Sequence, residues 1–159
     1  MPINLPANRV AEIGVAVVGL AIASYLTIAH YADSAVTLAC PATSTINCAE
    51  VTTSAASYVG PIPVALLGSL WFLAMLALVA SPSLPGLDRG VAALGWSATG
   101  LLFVFYLIYA ELFLVGAICL WCSAVHLCVI ALFLLTLNAY LVQSQGTDCI
   151  GAPPHPARE

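Results

Sequence analysis

The strongest constraint on this chain is a set of apolar runs bounded by its few charged residues. Residues 13–32, 62–80 and 90–110 are uncharged runs of 20, 19 and 21 residues. Residues 112–143 form a fourth, longer run, whose helical part is expected to begin near Ile118. About 20 apolar residues at ~1.5 Å rise cross a hydrocarbon core of ~30 Å. Four transmembrane helices are therefore predicted, at about 10–32, 62–81, 90–113 and 118–143. Pro61 and Pro63 stand where the second begins, a place where a missing N–H costs nothing. The proline-rich turn at 81–86 ends it. The expected fold class is an all-α integral membrane protein. A four-transmembrane-helix bundle fills residues 1–144, with an outer loop at 33–61, and a flexible Pro-rich tail follows at 145–159.

Composition excludes the main alternatives. Three Lys/Arg and seven Asp/Glu are the only charges among 159 residues, about a quarter of the density in a soluble domain. Ten charges cannot cover a soluble surface, and three cations cannot neutralise a row of phosphates, so no nucleic-acid partner is expected. Ala21-Ile22-Ala23 fits a signal-peptidase site, but the preceding segment is nearly neutral and the apolar run continues to Ala32. The first run is therefore assigned as a span. With four spans, Arg9, Arg89 and Arg158 all fall on one side, and the first and third loops carry no Lys or Arg. The positive-inside rule then places both termini in the cytoplasm of a multi-pass cell-membrane protein.

That topology sorts the six cysteines. Cys40 and Cys48 lie in the first outer loop, and Cys119-Leu120-Trp121-Cys122 opens the fourth helix on the same, oxidising side, where disulfide chemistry is favoured. A C-x-x-C at a helix N-terminus stabilises a thiolate, and its i, i+3 spacing puts both sulfurs on one face. Cys122 should lie about 4.5 Å deeper than Cys119. Cys119 is thus expected to be the sulfur that a surface thiol reaches, and Cys122 the one open to a lipid-soluble reactant. Two pairs at one membrane face can relay electrons by thiol–disulfide exchange. Two static disulfides, or a four-thiolate metal site, are the plain alternatives; the C-x7-C spacing suits a zinc ribbon poorly. Cys128, about 180° around the helix from Cys119, is expected to be a packing residue. Cys149, in the tail, is expected to be a free thiol.

Electrons taken from thiols need an acceptor. The chain has no G-x-G-x-x-G dinucleotide motif and no pair of haem-ligating histidines. A C-x-x-C inside an apolar bundle points to a membrane quinone, of menaquinone or ubiquinone type, with no metal required. His126, four residues after Cys122 on the same face, is a candidate for gripping a quinone oxygen. The plain alternative is a histidine bonded to a neighbouring helix.

Three stretches carry a resemblance to a known family: Cys40-x7-Cys48-Ala-Glu-Val, Gly60-Pro-Ile-Pro-Val-Ala-Leu-Leu-Gly68, and Tyr109 through Cys119-Leu-Trp-Cys122 to His126. Together they resemble a bacterial vitamin K epoxide reductase homologue. The resemblance implies a four-helix bundle around a quinone pocket, capped by the cysteine-bearing extracytoplasmic loop. It implies that Cys119 and Cys122 are the redox centre, with Cys122 nearest the quinone. It also implies that Cys48 shuttles electrons to Cys119, and that Cys40 pairs with Cys48 and meets the partner. Ser54 matches a family serine near the active site, where a hydroxyl can bond a quinone oxyanion or a thiolate. Animal members carry a tyrosine at the position of His126 and an asparagine near Val64, a difference that bears on epoxide chemistry and anticoagulant sensitivity. Many bacterial homologues carry a fused thioredoxin-like domain. With the chain ending at Glu159, a separate thioredoxin-like thiol oxidase on the outer face is the expected partner.

The expected function is a quinone-dependent thiol–disulfide oxidoreductase. Its rivals are reduction of vitamin K epoxide or quinone as the main purpose, a soft-metal transporter, and a structural bundle with stabilising disulfides. A transporter would place thiols within or on both sides of the bilayer.

Overall fold

The computed structural model describes residues 7–32, 39–40, 43, 45–81 and 88–150, the side chains of 146–150 excepted. The turn expected at 81–86 (beyond Ser81), the end of the expected tail with Arg158, and the Cys149 side chain lie outside the described residues. The elements in order are α1 (Ala7–Tyr31), α2 (Cys48–Thr53), a 3-10 turn (Ala55–Ser57), β1 (Tyr58–Val59), β2 (Ile62–Pro63), α3 (Val64–Ala80), α4 (Arg89–Tyr109), a π-helical turn (Ala110–Val115) and α5 (Leu120–Ile150). The molecule is mostly helical. Three helical segments, Ala7–Tyr31, Arg89–Val115 and Leu120–Gln145, are long and apolar enough to cross a membrane. α3 is a shorter apolar helix of 17 residues.

The packing inverts that of a soluble bundle. α1 buries Glu12, Ala16, Gly19, Ala23 and Leu26, and α4 buries Ala93, Ser97, Gly100 and Val104. The buried stripes are thus rich in small residues, while large side chains such as Leu102, Phe113 and Leu127 stand outside. Small faces let helix backbones approach closely where no hydrophobic effect between helices operates. α1 packs on α3 and α5, and α4 on α5. Two inter-helix hydroxyl contacts add polar ties, Thr27 to Ser69 at 3.2 Å and Ser97 to Thr136 at 2.9 Å.

The closest approach is at Gly19. A Cβ there would overlap the ring of Phe72, which is fully buried. Gly19→Ala is therefore expected to destabilise the protein by about 1–3 kcal/mol. Gly14→Ala, which would meet nothing within 4 Å, should be near neutral; thermal unfolding in detergent compares the two.

One end of the bundle gathers cations. The Arg9 guanidinium donates to the carbonyls of Val79, Ala80 and Ser81 at 2.7–2.8 Å, satisfying acceptors at the end of α3. Asp88 caps α4 by accepting from the N–H groups of Gly90 and Val91.

The opposite end carries structure that apolar periodicity does not reveal. The second helix was expected from residue 62, but Ile62 and Pro63 instead pair as β2 with β1, and the helix starts at Val64. Gly60, with φ of 62°, makes the tight turn between the strands, and Pro63 stands at the N-cap position of α3. A short loop was expected around 111–117. Helix continues there as a π-turn through Val115 and stops at Gly116, whose φ is 74°. α5 runs to Ile150, beyond the expected limit at 143.

Candidate functional site

Two backbone hydrogen bonds bring the cysteine-bearing segments together. Asn47 N–H donates to Ile118 O at 3.1 Å, and Ile118 N–H donates to Thr45 O at 2.9 Å. This parallel bridge pairs Ile46, two residues before Cys48, with Ile118, the residue before Cys119. Asn47 also caps α2: its Oδ1 accepts from Glu50 N–H, while its Nδ2 donates to the Glu50 carboxylate. The Trp121 indole N–H donates to Ala39 O at 3.1 Å, fastening the residue next to Cys40 to the start of α5. Cys40 and Cys48 are joined in a disulfide, their Cα atoms 6.1 Å apart. Cys48, Val51, Ala117 and Cys119 form a buried cluster, with Cys40, Trp121 and Cys122 packed against it.

Cys119 and Cys122 are free thiols. Cys119 occupies the N-cap position of α5. Its carbonyl accepts the first helical bond, from Ser123 N–H at 2.9 Å, and its Sγ accepts from Cys122 N–H at 3.2 Å. Its thiol is held below the ordinary cysteine value, chiefly by a hydrogen bond from the Cys122 side chain. Burial opposes this, the Cys122 N–H assists it, the Glu111 charge opposes it, and the Trp121 N–H assists it.

Thiolate exchange slows as pH falls through the pKa, so a lowered pKa moves that limb to lower pH. Reaction of the reduced protein at Cys119 should therefore persist at acidities where a free cysteine, with a pKa of about 8.5, has slowed. Removing the first-named donor in Cys122→Ala should shift the limb to higher pH, as read by labelling rates resolved on the Cys119 peptide.

The expectation that a surface thiol reaches Cys119 is corrected. Cys119 is 0% exposed, because the loop that carries Cys48 lies over the start of α5. An outside thiol meets that loop first.

Beneath this cluster lies a cavity of about 320 Å³ among the helices, within the size range of small-molecule sites. Its wall is mostly apolar, with Leu26, Trp71 and Phe103 among the lining residues. Cys122 lines it and Cys119 does not. His126 lines it too and is buried, one helical turn beyond Cys122. Ser54 also reaches the cavity, but its hydroxyl is engaged, donating to Val51 O at 2.8 Å at the end of α2. Cys128 packs against the main core. Among the described residues, no three His, Cys, Asp or Glu side chains gather as a metal site.

Two further polar residues line the cavity: His30, which no motif singles out, and Glu111, whose position in the sequence allows it either to end a helix or to raise the Cys119 pKa by its charge. His30, from the end of α1, lines it and stacks edge-on against Tyr58, with ring centroids 4.9 Å apart. Its signal was slight, a histidine near the end of an apolar run. Glu111 lines it from the π-turn. Its signal was stronger: it is the only charge between Arg89 and Asp148.

A family model described as the vitamin K epoxide reductase family matches residues 10–137. That range holds most of α1, all of α3 and α4, and both cysteine pairs. A comparison with curated proteins finds no match.

Proposed function

The chain belongs to the vitamin K epoxide reductase family, and from that premise we propose that it oxidises an extracytoplasmic thioredoxin-like protein and reduces a membrane quinone. The family is one of membrane oxidoreductases that link a quinone to disulfide or epoxide chemistry. In our reading, the partner's dithiol reduces the Cys40–Cys48 disulfide, and Cys48 then passes the electrons to an oxidised Cys119–Cys122 pair. Reduced Cys122, with Cys119, delivers them to a quinone of menaquinone or ubiquinone type. Each exchange moves two electrons and leaves one disulfide for the one consumed.

A single juxtaposition carries this function: Cys48 and Cys119 share one buried cluster, and Cys122, which lines the apolar cavity, packs against it. That order of sulfurs runs from the loop to the bundle interior, as a relay requires. His126 and Ser54 are the residues we assign to the quinone oxygens; Ser54 would release Val51 O to donate. α3, rising about 26 Å over its 17 residues, serves as the fourth span, and the loop with α2 caps the cavity. We further propose that the arginine-bearing end and both termini face the cytoplasm, that the cysteines face outward, and that the partner is a separate protein.

The test uses purified protein in detergent with a reduced thioredoxin-like protein and a water-soluble benzoquinone or naphthoquinone. One quinone should be consumed for each partner dithiol oxidised, without added metal. A partner that stays reduced while the quinone stays oxidised would remove the proposal.

A further inference from the structure

Transfer of two electrons from a dithiol to a quinone also moves two protons, and the relay of sulfurs provides no group to carry them. Glu111 is buried, at 8% exposure, in the π-turn that follows α4. The turn closes through an i to i+5 bond, Gly116 N–H to Glu111 O at 2.9 Å. Its side chain neighbours the Cys119 N–H and the Cys122 thiol. It also lines the cavity that Cys122 lines. Among the described residues it has no ion-pair partner, and an acidic group at such depth is costly unless it has work to do.

We propose that Glu111 is a catalytic residue: its carboxylate takes the proton of the Cys122 thiol and returns it across the cavity to the quinone. This rests on the quinone-reducing function proposed above. In the step, the S–H bonds of Cys119 and Cys122 break and the S–S bond between them forms. Both electrons pass to the quinone, which becomes a hydroquinone. One of its two new protons comes from Cys122 by way of Glu111, and the other is the proton given up by Cys119. The other titratable groups facing the cavity are Cys122 and His126 from α5 and His30 from α1, with Cys119 behind Cys122.

The test compares Glu111→Gln and Glu111→Asp with the unaltered full chain. Glutamine keeps an oxygen for the Cys119 N–H but cannot take a proton. Its rate of quinone reduction is expected to fall about a hundredfold, with the acid limb of the pH profile moved to higher pH. Aspartate should keep the limb in place at a reduced rate. A second readout omits quinone altogether: the rate at which N-ethylmaleimide labels Cys122 of the reduced protein across pH, resolved by peptide mass. Labelling at low pH should be lost in Glu111→Gln and retained in Glu111→Asp. Glutamine profiles matching the unaltered chain in both assays, or aspartate profiles matching glutamine, would overturn the assignment. If the unaltered chain reduces no quinone but the labelling shift appears, the base stands and the quinone function falls.

Discussion

Cys122→Ala is expected to lower quinone-dependent thiol oxidation at least about a thousandfold, or about 4 kcal/mol. Cys122 is the cysteine of its pair that lines the cavity. Cys119 lies behind it, shielded by the loop and by the start of α5, so it cannot substitute as the donor to an acceptor held there. The Cys40–Cys48 disulfide should survive, because neither of its sulfurs depends on Cys122. Thermal stability should change little by comparison, since Cys122 is only half-buried. A large loss of turnover with the fold intact separates a reactive sulfur from a packing one. Comparable turnover in the alanine variant would leave the C-x-x-C as a structural feature.

Cys48→Ala is the second large effect, and it should split the reaction in two. Oxidation of the partner protein is expected to fall about a thousandfold, because the loop sulfur buried in one cluster with Cys119 is gone. The inner half-reaction should persist. With Cys119 and Cys122 reduced beforehand by a small phosphine, a single turnover with quinone should proceed within about threefold of the unaltered chain. The bridge between Thr45, Asn47 and Ile118 is made by backbone atoms, so the alanine leaves the loop's anchorage in place. Loss of both half-reactions would mean that Cys48 supports the site's structure rather than carrying electrons through it.

What was legible in the sequence follows from physics that acts locally. An uncharged run of twenty residues has few alternatives to a membrane helix, so the long helices were predictable to within a few residues, except at the end of α5. The spacing of Cys119 and Cys122 likewise identified one helix start as chemically unusual. Local patterns failed where a tertiary contact decides. Cys119 was expected to be accessible because it opens a helix, but its burial comes from a bridge to Thr45 and Asn47, more than seventy residues away. α2 and the β1–β2 hairpin lie in a stretch rich in Ala, Ser and Thr that has no apolar period to read. The π-turn is equally hidden: Leu112, Phe113, Leu114 and Val115 suit an i to i+4 or an i to i+5 ladder, and only the position of Gly116 shows where the turn ends. Glu111 stood out as a lone charge close enough in sequence to act on Cys119, and the turn places it beside Cys122 as well.

The central claim is that electrons pass directly between Cys48 and Cys119. Cys40→Ala frees Cys48 from its disulfide partner while leaving it packed against Cys119. In membranes given an oxidised quinone, that variant is expected to accumulate a Cys48–Cys119 disulfide, identified by mass spectrometry of non-reduced peptides, with Cys122 released as a free thiol. Recovery of Cys48 as a free thiol beside an intact Cys119–Cys122 disulfide would contradict the relay.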